Sequence, residues 1–278
     1  MPVSGLITLT PPQFKLFQAF IHQHTGIWTQ DTKVALLSNR IRRRLRERGL
    51  DSFDAYYSLL SEAKLPGELG HFIDCITTNE THFFRTSDHL DWFAGSFLEG
   101  AIARAAAGHR QQSLRVWSAA CSSGEEAYSL AICLAERGSP LAGWSLRVVG
   151  SDISEAAIAR ARAAIYGQKA VERVAPDRLA KYFVADPATE TWKVKPVVAG
   201  LCEFYRHNLL NPMREPAFDC IFLRNVLIYF NDASKPVALK NLVNSLHSGG
   251  FLVVGTTDGA HDFLGSLERC STFLYRKP

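Results

Sequence analysis

Apolar positions recur at helical spacing through the first quarter of the chain. The run PPQFKLFQAFIHQHTGI, with Pro11 and Pro12 at its start and Gly26 at its end, predicts one helix. A second covers residues 32–48, with Val34, Leu37, Ile41 and Leu45 on one stripe and Gly49 as the stop. Asp51 is the expected cap of a third helix through SFDAYYSLLSEA, and Pro66-Gly67 separates it from GELGHFIDCITT. These segments predict a small helical bundle over residues 1–76. TTNETHFFR, residues 77–85, reads locally as a further capped helix with aromatic core residues. Beyond it, short strand-like runs at residues 114–118, 146–150, 204–207, 218–223 and 250–255 alternate with helical segments. That alternation predicts a parallel sheet covered by helices, a second unit over residues 77–278. Residues 182–207 show turn residues and alternating polarity without a helical stripe, which predicts a small antiparallel insertion.

Composition changes this picture little. The 278 residues are 47% hydrophobic, 21% charged and 11% aromatic, a globular balance that excludes bulk disorder. A net charge of +4 is too small to imply nucleic acid. The first residues lack a secretory pattern, and no apolar run approaches the roughly 20 residues that span a bilayer, so a cytoplasmic protein without membrane insertion is expected. Six cysteines are scattered without a CxxC pair, which predicts reduced thiols and no metal site.

Candidate chemistry gathers at the predicted strand ends. LRVWSAACSSGEEAYSLAICLAE is a strand, a loop of small residues and a helix, so residues 118–124 are consistent with a cofactor loop or with an ordinary tight turn. Asp152 ends the second strand, where an acid either accepts ribose hydroxyls or caps the next helix. Glu125 would repel a pyrophosphate yet pair with an ammonium, although Glu125 and Glu126 also suit the positive end of a helix dipole. Asn208-Leu209 and Arg224-Asn225 follow two further strands on the same edge. Their convergence on one crevice favours a bound nucleoside.

Together TTNETHFFR, VWSAACSSGEEAYSLAI, GSDIS and LRNVLIYF, in this order, resemble the chemotaxis receptor methyltransferases, the CheR family. The resemblance covers nearly the whole chain. It implies an α/β fold, a Rossmann-like S-adenosylmethionine-dependent methyltransferase sheet with a small antiparallel β insertion, preceded by a small all-α N-terminal domain. It implies methyl transfer from S-adenosylmethionine to glutamate side chains on the cytoplasmic helical region of methyl-accepting chemotaxis receptors. The products would be glutamyl methyl esters and S-adenosylhomocysteine, with no metal and no nucleic acid, in a monomer. Carried over by position, Asn79, Thr81, Arg85, Glu125, Asp152, Asn208, Leu209, Arg224 and Asn225 would hold the cofactor. Arg85 and Tyr229 would act at the transfer site.

A glutamate carboxylate is ionised at neutral pH, so attack on a sulfonium methyl needs positioning more than a base. Residues 38–50 carry six arginines against Glu47, and Arg40, Arg43, Arg44 and Arg46 are the candidates for meeting an acidic helix. A solvated helix face is the competing reading. Asp186-Pro187-Ala188-Thr189 replaces a glycine-rich turn expected in members that grip a receptor peptide, which argues against such tethering here. Gly255-Thr256-Thr257-Asp258 also departs from the family's last-strand pattern, and is expected to stay clear of the site. A methyltransferase of another substrate class and a non-catalytic S-adenosylmethionine-binding or receptor-docking module are the alternatives; a dehydrogenase is disfavoured by Glu125 and the missing GxGxxG.

Overall fold

The computed structural model describes residues 8–278. Four helices build the first unit: α1 (Pro11–Thr25), α2 (Val34–Arg48), α3 (Phe53–Ser61) and α4 (Glu68–Ile76). Thr10 and Gln13 form a reciprocal capping box at the start of α1, and Gly26 ends it at φ 76°. Leu37, Ile41 and Leu45 of α2 meet Phe14, Phe17, Tyr56 and Phe72 in the bundle core. Ser52, not Asp51, caps α3: its backbone is extended and its hydroxyl accepts the Ala55 N–H.

Residues 77–86 are not helical. Their backbone donors go elsewhere, the Phe83 N–H to the Ala170 carbonyl at 3.1 Å and the Phe84 N–H to the Ser129 hydroxyl at 3.0 Å. Phe83 is fully buried, edge-on to Tyr166 and Phe183, so the aromatic residue expected in a core is there, but pinned to the second unit. The chain then forms α5 (Ser87–Trp92), one π-helical turn at Phe93–Phe97 and α6 (Leu98–Ala106).

The large sheet takes β1 (Ser113–Ala119), β2 (Ser145–Asp152), β6 (Cys202–Arg206), β7 (Phe218–Leu223), β8 (Leu246–Val254), β9 (Glu268–Arg269) and β10 (Leu274–Arg276) in the order β6-β2-β1-β7-β8-β10-β9. Five strands are parallel, and β10 runs antiparallel to β8 and β9. Helices α7 (Glu125–Glu136), α8 (Glu155–Ala163) and α12 (Ser234–Asn244) join the parallel strands. Alternate side chains feed two cores: Val116, Val148 and Phe222 pack with Leu130 and Leu134 of α7, while Trp117, Val149 and Ile221 pack with Leu239 and Leu242 of α12. At Gly150 a Cβ would lie 2.5 Å from the Phe204 ring, so only glycine lets β2 and β6 pair under that ring.

A second, antiparallel sheet has the order β3-β5-β4, formed by β3 (Ile165–Gly167), β4 (Phe183–Asp186) and β5 (Thr191–Val194). Short helices α9 (Gln168–Val171) and α10 (Pro176–Tyr182) lie within it, and α11 (Pro196–Ala199) leads out. The insertion therefore starts before residue 182, and the end of the expected 182–207 segment belongs to the large sheet as β6. All six cysteines are free. No helix among the described residues is long and apolar enough to cross a membrane.

Candidate active site

The strand order turns back at β1, which has β2 on one side and β7 on the other. Such a switch point opens a crevice beyond the strands' carboxyl ends. Here the helical unit roofs it. Trp28 donates its backbone N–H to the Tyr229 carbonyl at 2.7 Å, Ile27 bridges Phe230, and the Asn208 side chain donates to the His24 carbonyl at 2.9 Å. On the far flank the Ser154 hydroxyl donates to Asp74 at 2.8 Å. A cavity of about 540 Å³ remains between roof and sheet, within the range of small-molecule sites.

The floor is the loop after β1. Ala120, Ser122 and Gly124 all adopt positive φ, at 58°, 52° and 93°, which turns the chain sharply into α7. A Cβ at Gly124 would lie 2.8 Å from the Ala161 Cβ. Asp152 fixes this loop: one carboxylate oxygen accepts the Ser122 N–H and the other the Ser154 N–H, both at 2.9 Å. The helix cap of α8 is Ser154 itself, whose hydroxyl accepts the Ala157 N–H, so capping does not account for Asp152. Burial raises the Asp152 pKa against the pull of these backbone donors.

Asn79, Thr81, Arg85, Asp152, Asn208, Leu209, Arg224, Asn225 and Tyr229 all line this one cavity. The Asn79 carbonyl accepts the Ser122 hydroxyl at 3.0 Å, which ties the 77–85 segment to the floor. Arg85 donates to the Glu80 carbonyl at 3.2 Å and forms no ion pair among the described residues. Tyr229 is 36% exposed at the rim. Glu125 is not in the wall: it is buried against the Ser123 hydroxyl at 2.9 Å, where burial raises its pKa. Glu126 lines the cavity instead. Its carboxylate accepts from the Ser118 hydroxyl at 2.7 Å and from Arg224 at 2.9 Å.

Two features escape the sequence reading. Asp258 is buried, and its carboxylate accepts the backbone N–H groups of Asn225 at 2.7 Å, Leu227 at 3.0 Å and Gly255 at 3.0 Å. Asn225 is thereby held at φ 58°. The Gly255–Asp258 turn, expected to stay clear of the site, supports it from behind; an acid at a strand tip was the available signal. His207 also lines the cavity, its Nε2 buried without a partner and its pKa lowered by burial.

The basic helix divides. Arg44 is an internal residue, in a two-bond pair with buried Glu68 at 2.9 and 2.7 Å, and it also bonds Glu47. It cannot present its charge to a partner, because Glu68, 24 residues away, already holds it. Arg40 binds the Ile76 carbonyl and the Thr78 hydroxyl and reaches the cavity wall. Arg43 and Arg46 stay exposed.

The all-alpha domain of the CheR methyltransferases matches residues 12–77, and their SAM binding domain matches residues 79–271. The chain belongs to the CheR methyltransferase family. A chemotaxis protein methyltransferase of Escherichia coli (strain K12) is 34% identical over 257 residues, covering 91% of this chain and 86% of that protein. The protein of that name from Salmonella typhimurium is 35% identical, covering 91% and 85%. Chemotaxis protein methyltransferase 1 of Pseudomonas aeruginosa is 33% identical, covering 90% of each chain.

S-adenosylmethionine is thus the methyl donor of this CheR-family enzyme, and the cavity suits it. A nucleoside needs polar groups with spare bonding capacity. The Asp152 carboxylate, whose oxygens accept the Ser122 and Ser154 N–H groups, keeps a lone pair for a further donor, and the buried His207 Nε2 and Arg224 Nε lack partners. Acids and cations share the wall, Glu80, Glu126 and Asp152 with Lys33, Arg40, Arg85 and Arg224. That mixture suits a donor that carries a carboxylate, an ammonium and a sulfonium.

Proposed function

We propose that this chain methylates glutamate side chains on the cytoplasmic helical region of methyl-accepting chemotaxis receptors, giving glutamyl methyl esters and S-adenosylhomocysteine. The observation that carries this reading is the placement of Arg85, free of any ion pair among the described residues, in one cavity with Tyr229 and Asp152. A guanidinium without a carboxylate of its own can orient an incoming one through its planar fork. The helical unit supplies the acceptor-side roof and the sheet unit the donor side.

S-adenosylmethionine supplies a methyl group activated on a sulfonium sulfur. The protein's part is positional. Asp152 would accept from the ribose, and Asn79, Thr81, Asn208, Leu209 and Asn225 would close around the nucleoside. Glu126 takes the wall position expected of Glu125, and Glu125 supports the loop from beneath. The acceptor carboxylate is already ionised at neutral pH, so no general base is needed. Arg85 and the Tyr229 hydroxyl, in the same cavity wall, would orient the acceptor carboxylate toward the donor. The Trp28 N–H bond to the Tyr229 carbonyl ties the roof to the edge of the transfer site, and the docked acceptor would complete the exclusion of water from the nucleophile.

Calorimetric binding and turnover of two variants test this division. Arg85→Ala should lower turnover by about 100-fold or more, the scale of a misplaced reactant, with cofactor affinity nearly unchanged. Asp152→Asn should chiefly weaken cofactor binding. Equal loss of cofactor affinity in both would reject the assignment.

A further inference from the structure

The donor is a cation at its reacting sulfur, yet a buried arginine stands in the same cavity wall. Arg224 is 7% exposed, and it spends its guanidinium on Glu126 at 2.9 Å and on the Arg85 carbonyl at 2.7 Å. The pair is enclosed, with side chains 3% and 15% exposed. It joins three separate motifs: the first turn of α7, the end of β7 and the segment that carries Arg85. Screening by water is weak at such a place, so an uncompensated guanidinium would act on any positive charge brought beside it.

We infer that Glu126 is a positioning and charge-compensating residue that sets the enzyme's preference between its donor and its product. Methyl transfer removes the sulfonium charge, so S-adenosylmethionine and S-adenosylhomocysteine differ at the reacting sulfur by one positive charge and one methyl. Glu126 neutralises Arg224, which lets the cavity accept the charged donor. It also aims Arg224 at the Arg85 carbonyl, which holds the backbone of the transfer residue. The Ser118 hydroxyl at 2.7 Å orients the Glu126 carboxylate for both tasks. The inference rests on S-adenosylmethionine as donor and is independent of the acceptor's identity.

The test is the ratio of affinities for S-adenosylmethionine and S-adenosylhomocysteine, measured by calorimetry on the full chain. Glu126→Gln exposes the donor to an unpaired guanidinium and should shift the ratio about tenfold toward the product, the scale expected of a unit charge in a partly screened site. Arg224→Gln leaves the carboxylate alone and should shift the ratio toward the donor. The double variant should return the ratio close to the wild-type value even where both affinities fall. A role confined to folding moves both ligands together, so equal losses, or shifts of the same sign in the two single variants, overturn the inference. Should Glu126→Gln fail to fold, Arg224→Gln decides by the sign of its shift. Wild-type protein that binds neither ligand would instead overturn the cofactor assignment.

Discussion

Replacing Arg44 by alanine should destabilise the enzyme, whereas replacing Arg43 one residue earlier should hardly do so. Arg44 gives Glu68 two hydrogen bonds, and Tyr56 and Arg48 add donors at 2.7 and 2.6 Å around a carboxylate that is 1% exposed. Removing one partner from a buried pair costs about 3–5 kcal/mol, because the remaining charge has lost its compensation. Tyr56 and Arg48 still serve Glu68, which puts the cost near the lower end. For a chain of this size that lowers Tm by about 6–12 °C. Arg43 is 72% exposed in its pair with Glu47, and such surface pairs contribute at most about 1 kcal/mol. The pH dependence carries a sign. Burial pushes the Glu68 pKa up, but the hydrogen bonds from Arg44 and Tyr56 outweigh it and hold the folded value below 4.5. A carboxylate with a depressed folded pKa contributes its full stability above the unfolded value and loses it as pH falls through the folded one. The Tm gap between wild type and Arg44→Ala should therefore be full at pH 7 and narrow below about pH 4.5. Differential scanning fluorimetry across pH reads both effects. A gap under about 2 °C at pH 7, or one that widens on acidification, would refute this account of Arg44.

Three further outcomes follow from the same geometry. Reversing Arg43 and Arg46 to glutamate should raise the KM for an acidic helical acceptor and flatten its salt dependence while cofactor affinity stays constant; kinetics at several ionic strengths check this. Asp258→Ala removes the acceptor of the Asn225, Leu227 and Gly255 N–H groups at a cost of about 1.5–3 kcal/mol per charge-assisted bond, so it should weaken cofactor binding without touching the cavity wall, as calorimetry can show. Because burial raises the Asp152 pKa, its carboxylate protonates at a higher pH than an ordinary aspartate; S-adenosylmethionine affinity should begin to fall there, and Asp152→Asn should flatten that limb of the profile.

The parts of the fold that repeat a period were legible in the sequence. The α2 stripe of Leu37, Ile41 and Leu45 buries one face of a helix, and the runs that became β1, β2 and β7 are apolar because those strands are buried on both faces. What escaped depends on distant partners. TTNETHFFR has a helix-like local pattern, but Ala170 and Ser129 take the amide hydrogens of Phe83 and Phe84. The six arginines of the basic helix look alike in sequence, and only distant partners separate them: Glu68 takes Arg44 and Arg48, the Ile76 carbonyl takes Arg40, and Arg43 and Arg46 stay exposed. β3 has three residues, too few for a period, so the insertion was drawn from its later strands. Among the residues that line the cavity, Asp152, Asn208, Arg224 and Asn225 were visible as polar groups at strand ends, whereas Asn79, Thr81, Arg85 and Tyr229 came only with the family resemblance. That Glu126 and not Glu125 lines the cavity was not visible, since neighbours on a helix differ by about 100° in direction and the entry angle of α7 decides which faces it.

The central claim is methyl transfer to receptor carboxylates. Its most direct measurement is incubation of the purified enzyme and methyl-labelled S-adenosylmethionine with membranes that contain candidate chemoreceptors. Label should appear on the receptor in a form that base releases as methanol, and mass spectra should place the added methyl on glutamates of the cytoplasmic helices. Label that survives base, or label confined to small molecules or nucleic acid, would contradict it.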